Sequence, residues 1–289
     1  MSVFLVLFVG LCAASSAAIL IRLCDAPPLV VAAYRLGLTS LVIVPVALAR
    51  VPEELRAILV SHRSALLGSG LCLALHFSFW ITSLSHTSVA SSGLLVTTNP
   101  IFVGLGAWLI LRERVGPRLV ISTAVALIGT VLVTIGDHGA GERALYGDAL
   151  ALTGAVAMSG HLLIGRRARA TASLLPYITP VNIIATLAVL VLCLWEGHAL
   201  TGYSFRTNLL FVALAAGPQL IGHSSFNYAL RHVSPSVVAL VLLAEPVLSA
   251  TLAYLILDEL PPPLIYPGGV VILCGIALAV TRKREPSEV

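Results

Sequence analysis

The chain has 289 residues, of which 58% are hydrophobic and 10% charged, and its mean hydropathy is +1.01. A soluble domain carries roughly 25% charged residues, so the composition predicts an all-α integral membrane protein and argues against a cytoplasmic enzyme or a disordered regulator. The net charge of +4 does not indicate nucleic-acid binding, because the basic residues stand singly or in threes between apolar runs. We therefore expect the lipid bilayer, and no nucleic acid, as a partner.

The same composition predicts no cofactor and no bound metal. The five cysteines are an odd number and lie mostly within apolar runs, so they indicate neither a disulfide framework nor a metal site. The sole lysine, Lys283, lies near the C-terminus, which excludes a P-loop lysine for ATP and a retinal-type Schiff base. No basic region precedes the first apolar run, so we expect the first helix to be retained.

A helical crossing of a bilayer needs about 20 apolar residues, and the sequence supplies that length repeatedly between short polar breaks. Charges and prolines mark the breaks, for example DAPP at 25–28 and RRARA at 166–170. We predict ten transmembrane spans, near 3–22, 29–49, 64–84, 88–111, 118–136, 147–165, 175–195, 207–229, 235–257 and 262–281.

The positions of the basic residues predict the orientation. With the N-terminus inside, 13 of the 17 Lys and Arg residues fall on the inner face. Arg22, Arg143 and Arg206 fall on the outer face, and Arg35 lies within span 2. The positive-inside rule therefore places both termini in the cytoplasm of a protein of the cell (inner or plasma) membrane.

Polar residues within the first eight spans are candidates for a substrate site. Arg35 either has a structural, interfacial role or pairs with an acid or an anionic substrate group. His76 and Trp80 are spaced i, i+4 in span 3, and span 6 contributes His161, which has no second metal ligand at useful spacing. In span 8 a stripe at i, i+4, i+8 favours a cavity over hydrogen-bonded contacts between helices. This stripe consists of Gln219, His223 and Asn227.

The second half of the chain resembles the first at an offset of 146 residues. Aligned without gaps, 78–135 and 224–281 share about sixteen identities in fifty-eight positions. These include His86 with His232, Pro100 with Pro246 and Glu113 with Glu259. Because the offset spans five helices, an odd number, we expect two inverted five-helix repeats at 1–137 and 147–282, followed by a cytoplasmic tail at 283–289.

Span 9 contains Glu245, an acidic residue deep within the apolar run, and the first repeat has Asn99 at the matching position. A carboxylate at that depth costs at least about 2.5 kcal/mol. We expect Glu245 to be a proton-coupling site or a partner for a cationic substrate group; the alternative is a hydrogen-bond anchor between helices. Pro100 and Pro246 are either hinges or static kinks.

Two further patterns predict packing. Glu113 and Glu259 end spans 4 and 9, where an acid opposes the helix dipole, so we expect structural interfacial pairs. Small residues on span 5 (Ser122, Ala126, Gly129) and span 10 (Gly268, Gly275) favour close helix contact, within one chain or between two. A homodimer is thus left open.

Together, the two repeats, the prolines within spans 4 and 9 (AEP at 244–246) and the acids that close these spans resemble the EamA family of the drug/metabolite transporter superfamily. The resemblance covers essentially the whole chain. It implies a carrier of a small organic metabolite or drug-like solute, often an exporter, with a central cavity between the repeats. It does not imply a particular substrate.

We therefore predict a non-enzymatic carrier that works by alternating access, with protons as a candidate coupling ion. The rival interpretations are a non-transporting receptor or assembly protein and an intramembrane serine hydrolase. The hydrolase is disfavoured because neither Ser69 nor Ser159 has the glycine two residues before it that a GxSG turn requires.

Overall fold

The computed structural model describes residues 2–87, 89–110, 112, 116–134, 144–257 and 264–280, and its regular elements in these ranges are all helices. The first half of the chain forms eight helices. They are α1 (Val3–Ser15), α2 (Ala17–Leu23), α3 (Pro28–Arg50), α4 (Pro52–Ser61), α5 (Arg63–Ser83), α6 (Val89–Val96), α7 (Asn99–Leu109) and α8 (Pro117–Thr134).

The second half forms seven α-helices and one π-helical segment, Ala215–His223, which joins α11 to α12 without a break. The α-helices are α9 (Ala144–Arg169), α10 (Leu174–Trp195), α11 (Phe205–Leu214), α12 (Ser224–Ala229), α13 (Pro235–Leu242), α14 (Glu245–Leu257) and α15 (Ile265–Val280). We call α1–α8 the first repeat and α9–α15 the second repeat.

Seven helical stretches in the described ranges are long and apolar enough to cross a membrane. They are Val3–Leu23, Pro28–Arg50, Arg63–Ser83, Leu145–Arg169, Leu174–Trp195, Phe205–Ala229 and Pro235–Ile256. Large apolar side chains on their outer surfaces are exposed, such as Leu41 at 71%, as expected for residues that face lipid. The prediction of an all-helical membrane protein agrees with this arrangement.

Helix boundaries recur 146 positions apart. Helix α3 begins at Pro28 and α10 at Leu174, while α7 begins at Asn99 and α14 at Glu245. The sequence repeat is therefore also a repeat of helix and break.

Contacts between the repeats follow the same correspondence. Helix α3 packs on its counterpart α10, and α8 packs on its counterpart α15. Helix α5 lies along α9, and the matching contact joins the π-helical segment to α1. Each repeat therefore completes the core of the other.

Glycines allow the closest of these contacts. A Cβ atom on Gly129 would lie 2.6 Å from the Gly268 carbonyl oxygen, and one on Gly275 would lie 2.8 Å from the Ser122 carbonyl oxygen. The small-residue stripes predicted from the sequence thus meet within a single chain, so they provide no argument for a homodimer.

Glu113 and Glu259 lie outside the described residues, so their predicted interfacial role stays a prediction.

Arg169, assigned to the polar break at 166–170, instead lies within α9 and is buried, and its Nε donates to the Asn227 carbonyl oxygen at 3.0 Å. A long guanidinium can reach back over a helix end to bind free carbonyl groups, which a count of charges does not reveal.

Candidate functional site

Three helix breaks and one π-helical segment border a single cavity. Ser16 separates α1 from α2, residues 97–98 separate α6 from α7, and residues 243–244 separate α13 from α14. The π-helical segment, which continues α11 into α12, ends at the cavity with His223. Broken helices expose backbone groups that are tolerated where they line a cavity, so this is the expected place for a binding site.

The cavity has a mixed polar and apolar wall. Its free volume is about 40 Å³, whereas ligand pockets usually measure roughly 300–1,000 Å³. The cavity is therefore small, and it has to widen to admit an organic solute. It is formed by Ala14, Ala17, Arg35, His76, Trp80, Val96, Thr97, Asn99, Met158, His223, Phe226, Leu242 and Glu245.

Arg35 is the cation of this wall and is only 1% exposed. Its Nε donates to Gln219 Oε1 at 2.9 Å, and Gln219 Nε2 donates to Asn182 Oδ1 at 3.1 Å. Its guanidinium carbon also lies 4.2 Å from the centroid of the Phe77 ring, a cation–π contact. Arg35 Nη1 has no hydrogen-bond partner among the described residues. The side chain is thus held in place with one donor nitrogen unused.

Glu245 is the carboxylate of the same wall. It is the first residue of α14, where the positive end of the helix dipole favours an anion. It attracts Arg35 electrostatically, but the described part of the chain holds no direct ion pair between the two. The acid and the base therefore face one cavity without neutralising each other by contact.

Two imidazole rings stand beside Arg35. His76 Nδ1 lies 3.0 Å from the Gly154 carbonyl oxygen, so Nδ1 carries the proton, and in the neutral ring Nε2 is an acceptor. The same ring stacks on Trp80, with 5.9 Å between centroids. The His223 ring lies 6.3 Å from that of His76. The sequence-predicted His76, Trp80 and His223 are thus brought together.

The π-helical segment orients the span-8 stripe and was not anticipated from the sequence. The i, i+4, i+8 spacing of Gln219, His223 and Asn227 predicts an α-helix, yet Gln219 and His223 lie on π-helical turns. All three side chains are buried. Pro218 lies within the segment, and a proline without an N–H group interrupts the α-helical hydrogen-bond pattern. π-Helical turns are frequent at functional sites.

Asn99, the counterpart of Glu245, lies at the cavity as the first residue of α7. Its Oδ1 is buried and has no hydrogen-bond partner among the described residues. Pro100 and Pro246 each take the second position of a new helix. A proline is favourable there because that N–H group is not needed within the helix. The prolines therefore follow a helix break; they do not kink a continuous helix.

His161 belongs to a second buried cluster outside the cavity wall. Its Nδ1 lies 2.9 Å from Ser69 Oγ, which in turn lies 2.6 Å from Tyr177 Oη. Asn227 lies beside the His161 ring, but His161 Nε2 and Asn227 Oδ1 have no well-oriented partner in the described part of the chain. Arg169 joins this cluster, because its Nε donates to the Asn227 carbonyl oxygen. The predicted substrate residues His161 and Asn227 thus belong to this cluster and do not line the cavity.

Comparisons with known proteins agree with this architecture. The model of the EamA-like transporter family matches residues 1–135 and 145–281. One solved crystal structure superposes with a TM-score of 0.80 and 22% sequence identity, covering 96% of each chain, which supports the fold.

Several named relatives are transporters. The uncharacterized transporter YdfC of Bacillus subtilis (strain 168) is 25% identical over 202 residues, which cover 70% of this chain and 66% of that protein. The pseudopaline exporter CntI of Pseudomonas aeruginosa (strain UCBPP-PA14) is 27% identical over 220 residues, 75% of each chain. A probable terminal-alkyne amino-acid exporter of Streptantibioticus cattleyicolor is 25% identical over 214 residues, 70% of this chain and 69% of that protein.

Proposed function

Because the chain belongs to the EamA-like transporter family, we propose that it exports a small organic solute through the cavity between Arg35 and Glu245. The family and the transporter names of the relatives confirm the prediction of a multi-pass membrane carrier that is not an enzyme. Export is proposed because two of the relatives are named exporters. The observation that carries the proposal is a charged cavity bordered by three helix breaks and a π-helical segment.

The proposed topology has ten spans, arranged as two inverted repeats at 1–137 and 147–282. Beyond the seven long stretches, Asn99–Leu109, Pro117–Gly129 and Tyr266–Leu278 are shorter apolar helices that supply spans 4, 5 and 10. The basic residues on the inner face favour cytoplasmic termini, a cytoplasmic tail at 283–289 and the plasma membrane. A single chain is the transporting unit in this proposal.

The proposed transport cycle is alternating access. The cavity of about 40 Å³ is too small for a drug-sized solute, so the two repeats have to move apart around it. The breaks before Pro100 and Pro246 are suitable hinges, since a proline has no N–H group to donate a backbone hydrogen bond across the break.

Proton coupling is proposed at Glu245. The charged and titratable groups that face its cavity are Arg35 from α3, His76 from α5 and His223 from the π-helical segment. A carboxylate within a membrane is costly unless it is paired or solvated. A proton that binds Glu245 when the solute leaves would remove this cost and link solute movement to the proton gradient.

A flux experiment tests the proposed function. Liposomes that contain the purified protein are loaded with a small-molecule extract of cells. Mass spectrometry then identifies the solutes that leave these liposomes faster than they leave protein-free liposomes. Ala17→Phe fills the cavity wall and should abolish this flux, whereas the lipid-facing Leu41→Ala should not. Folded wild-type protein that moves no solute would refute the proposal and favour a receptor or assembly role.

A further inference from the structure

We propose that the cavity binds a small zwitterion, with its carboxylate at Arg35 and its protonated amine at Glu245 and Asn99. The proposal names the substrate class of the carrier described above and rests on that transport function. Its basis is the set of donor and acceptor groups in the wall and their unmet hydrogen-bonding capacity.

Arg35 is the carboxylate-binding group. Its Nε, Gln219 and the Phe77 ring fix the plane of the guanidinium, and Nη1 is left without a partner among the described residues. A buried guanidinium donor without an acceptor is costly. The planar fork of arginine matches a carboxylate, which can accept from it. A bound carboxylate would therefore satisfy the unused donor.

Glu245 and Asn99 are the amine-binding groups. They occupy matching positions, each at the first residue of a helix that starts beside the cavity. Asn99 Oδ1 is a buried acceptor without a donor in the described ranges, and Glu245 is a carboxylate that no described basic group contacts. A protonated amine carries three N–H donors, enough for both groups. His76 Nε2 is a further acceptor in the same wall.

Charge balance favours a zwitterion over a solute of one sign. The wall contributes one guanidinium and one carboxylate, and a net charge within a membrane carries a large free-energy cost. A zwitterion leaves the loaded site neutral while both wall charges gain a partner. A proton and the amine would then compete for Glu245, which supplies the exchange that coupled export requires.

The rest of the wall suits a substrate with an apolar side chain. Trp80, Met158, Phe226 and Leu242 line the cavity, and none of them offers a charge. The combination of one carboxylate, one amine and an apolar side chain corresponds to an apolar α-amino acid or a close derivative.

Trp80 provides a binding assay that does not depend on transport. The other two tryptophans, Trp108 and Trp195, are 60% and 87% exposed, and replacing both with Phe leaves Trp80 as the reporter at the cavity. Fluorescence of this variant is titrated with each of the standard protein amino acids. We expect a saturable change with at least one apolar member, leucine being the first probe.

Matched analogues then locate each charge. Leucine is compared with 3-methylbutylamine, which lacks the carboxylate, and with 4-methylpentanoate, which lacks the amine. In the reporter background both analogues should bind about tenfold to a hundredfold more weakly, the range for a lost charged hydrogen bond. In Arg35→Gln, 3-methylbutylamine should bind as tightly as leucine. In Glu245→Gln, 4-methylpentanoate should bind as tightly as leucine.

Controls separate these effects from misfolding. Arg50 lies on the same helix as Arg35, and both Arg50 and Glu196 are exposed. Arg50→Gln and Glu196→Gln should still bind leucine more tightly than either analogue. Arg35→Lys serves as a second variant if Arg35→Gln does not fold. Discrimination that persists in Arg35→Gln and Glu245→Gln overturns the proposal. So does the absence of binding by every amino acid; if the liposomes still release other solutes, the transport function stands and the substrate class alone is wrong.

Discussion

The two repeats share helix boundaries but differ in the polar residues that they contribute to the cavity. Position 99 is an asparagine in the first repeat, and its counterpart 245 is a glutamate. Leu73 and Phe77 of α5 correspond to Gln219 and His223 of the π-helical segment. Conversely, Arg35 corresponds to the apolar Val181. The backbone is repeated, whereas the chemistry is divided between the halves.

This division indicates which features serve architecture and which serve the site. The features present in both halves, such as the glycine contacts of α8 with α15, hold the repeats together. Features present in one half meet at the cavity, where the second repeat supplies Glu245 and the first supplies Arg35. Gln219 of the second repeat accepts a hydrogen bond from Arg35. Experiments that exchange or remove these features test that distinction.

Moving the carboxylate to the other repeat should have the largest effect. The double variant Asn99→Glu, Glu245→Asn keeps the net charge but places the acid at the start of α7. We expect the rate of solute efflux from liposomes to fall on the order of a hundredfold, about 2.7 kcal/mol, because the groups around positions 99 and 245 differ. Efflux near the wild-type rate would mean that the repeats are interchangeable at this position.

Adding a methyl group at the repeated glycine contact should destabilise both halves equally. Gly129→Ala and Gly275→Ala each place a Cβ atom within 2.8 Å of a neighbouring helix. We expect each to lower the free energy of unfolding by about 2–3 kcal/mol, measured by denaturation in mixed micelles. Gly104→Ala, with no atom within 4 Å of its added Cβ, is the matched control. Unequal losses at positions 129 and 275 would contradict a symmetric contact.

Copying an apolar residue of the first repeat into the second should have a moderate effect. Gln219→Leu reproduces the counterpart Leu73 and removes the acceptor of Arg35 Nε. The buried guanidinium then loses a partner, which should cost about 1–2 kcal/mol of stability and lower the melting temperature in detergent. Gln219→Glu restores an acceptor and should recover stability. If Gln219→Leu is as stable as the wild type, this hydrogen bond does not hold Arg35.

The smallest effect is expected at the two prolines. Pro100→Ala and Pro246→Ala act in the first turn of a helix, where the proline N–H group is not needed, so stability should change by less than about 1 kcal/mol. The rate of solute efflux should fall in both variants, because a more continuous helix resists movement at the break. A variant that keeps the full rate would show that its break is not a hinge.

Much of the fold could be predicted from the sequence because membrane helices follow from apolar length and the repeat from a fixed offset. Glu245 and Arg35 were also predictable as candidates, since a charge within an apolar span requires an explanation, and both line the cavity. The π-helical segment was not predicted, because its single local signal, Pro218, also fits a simple kink. Arg169 was missed because a basic residue at a predicted helix end normally marks the membrane surface.

The position of His161 outside the cavity wall shows a second limit. Helical spacing placed Asn227 on one stripe with Gln219 and His223, but no rule of spacing indicates which neighbouring helix each side chain meets. In the folded chain Ser69 binds His161 and Gln219 binds Arg35. These pairings join residues far apart in sequence and depend on how the helices pack.

In the proposed cycle, Glu245, the carboxylate found in one repeat, couples transport to protons. The most direct measurement is solute efflux from liposomes with and without an imposed pH gradient, for wild type, Glu245→Gln and the exposed control Glu196→Gln. We predict that the gradient accelerates efflux by the wild type and the control and has no effect on folded Glu245→Gln. Gradient-driven efflux by Glu245→Gln at the wild-type rate would contradict the account.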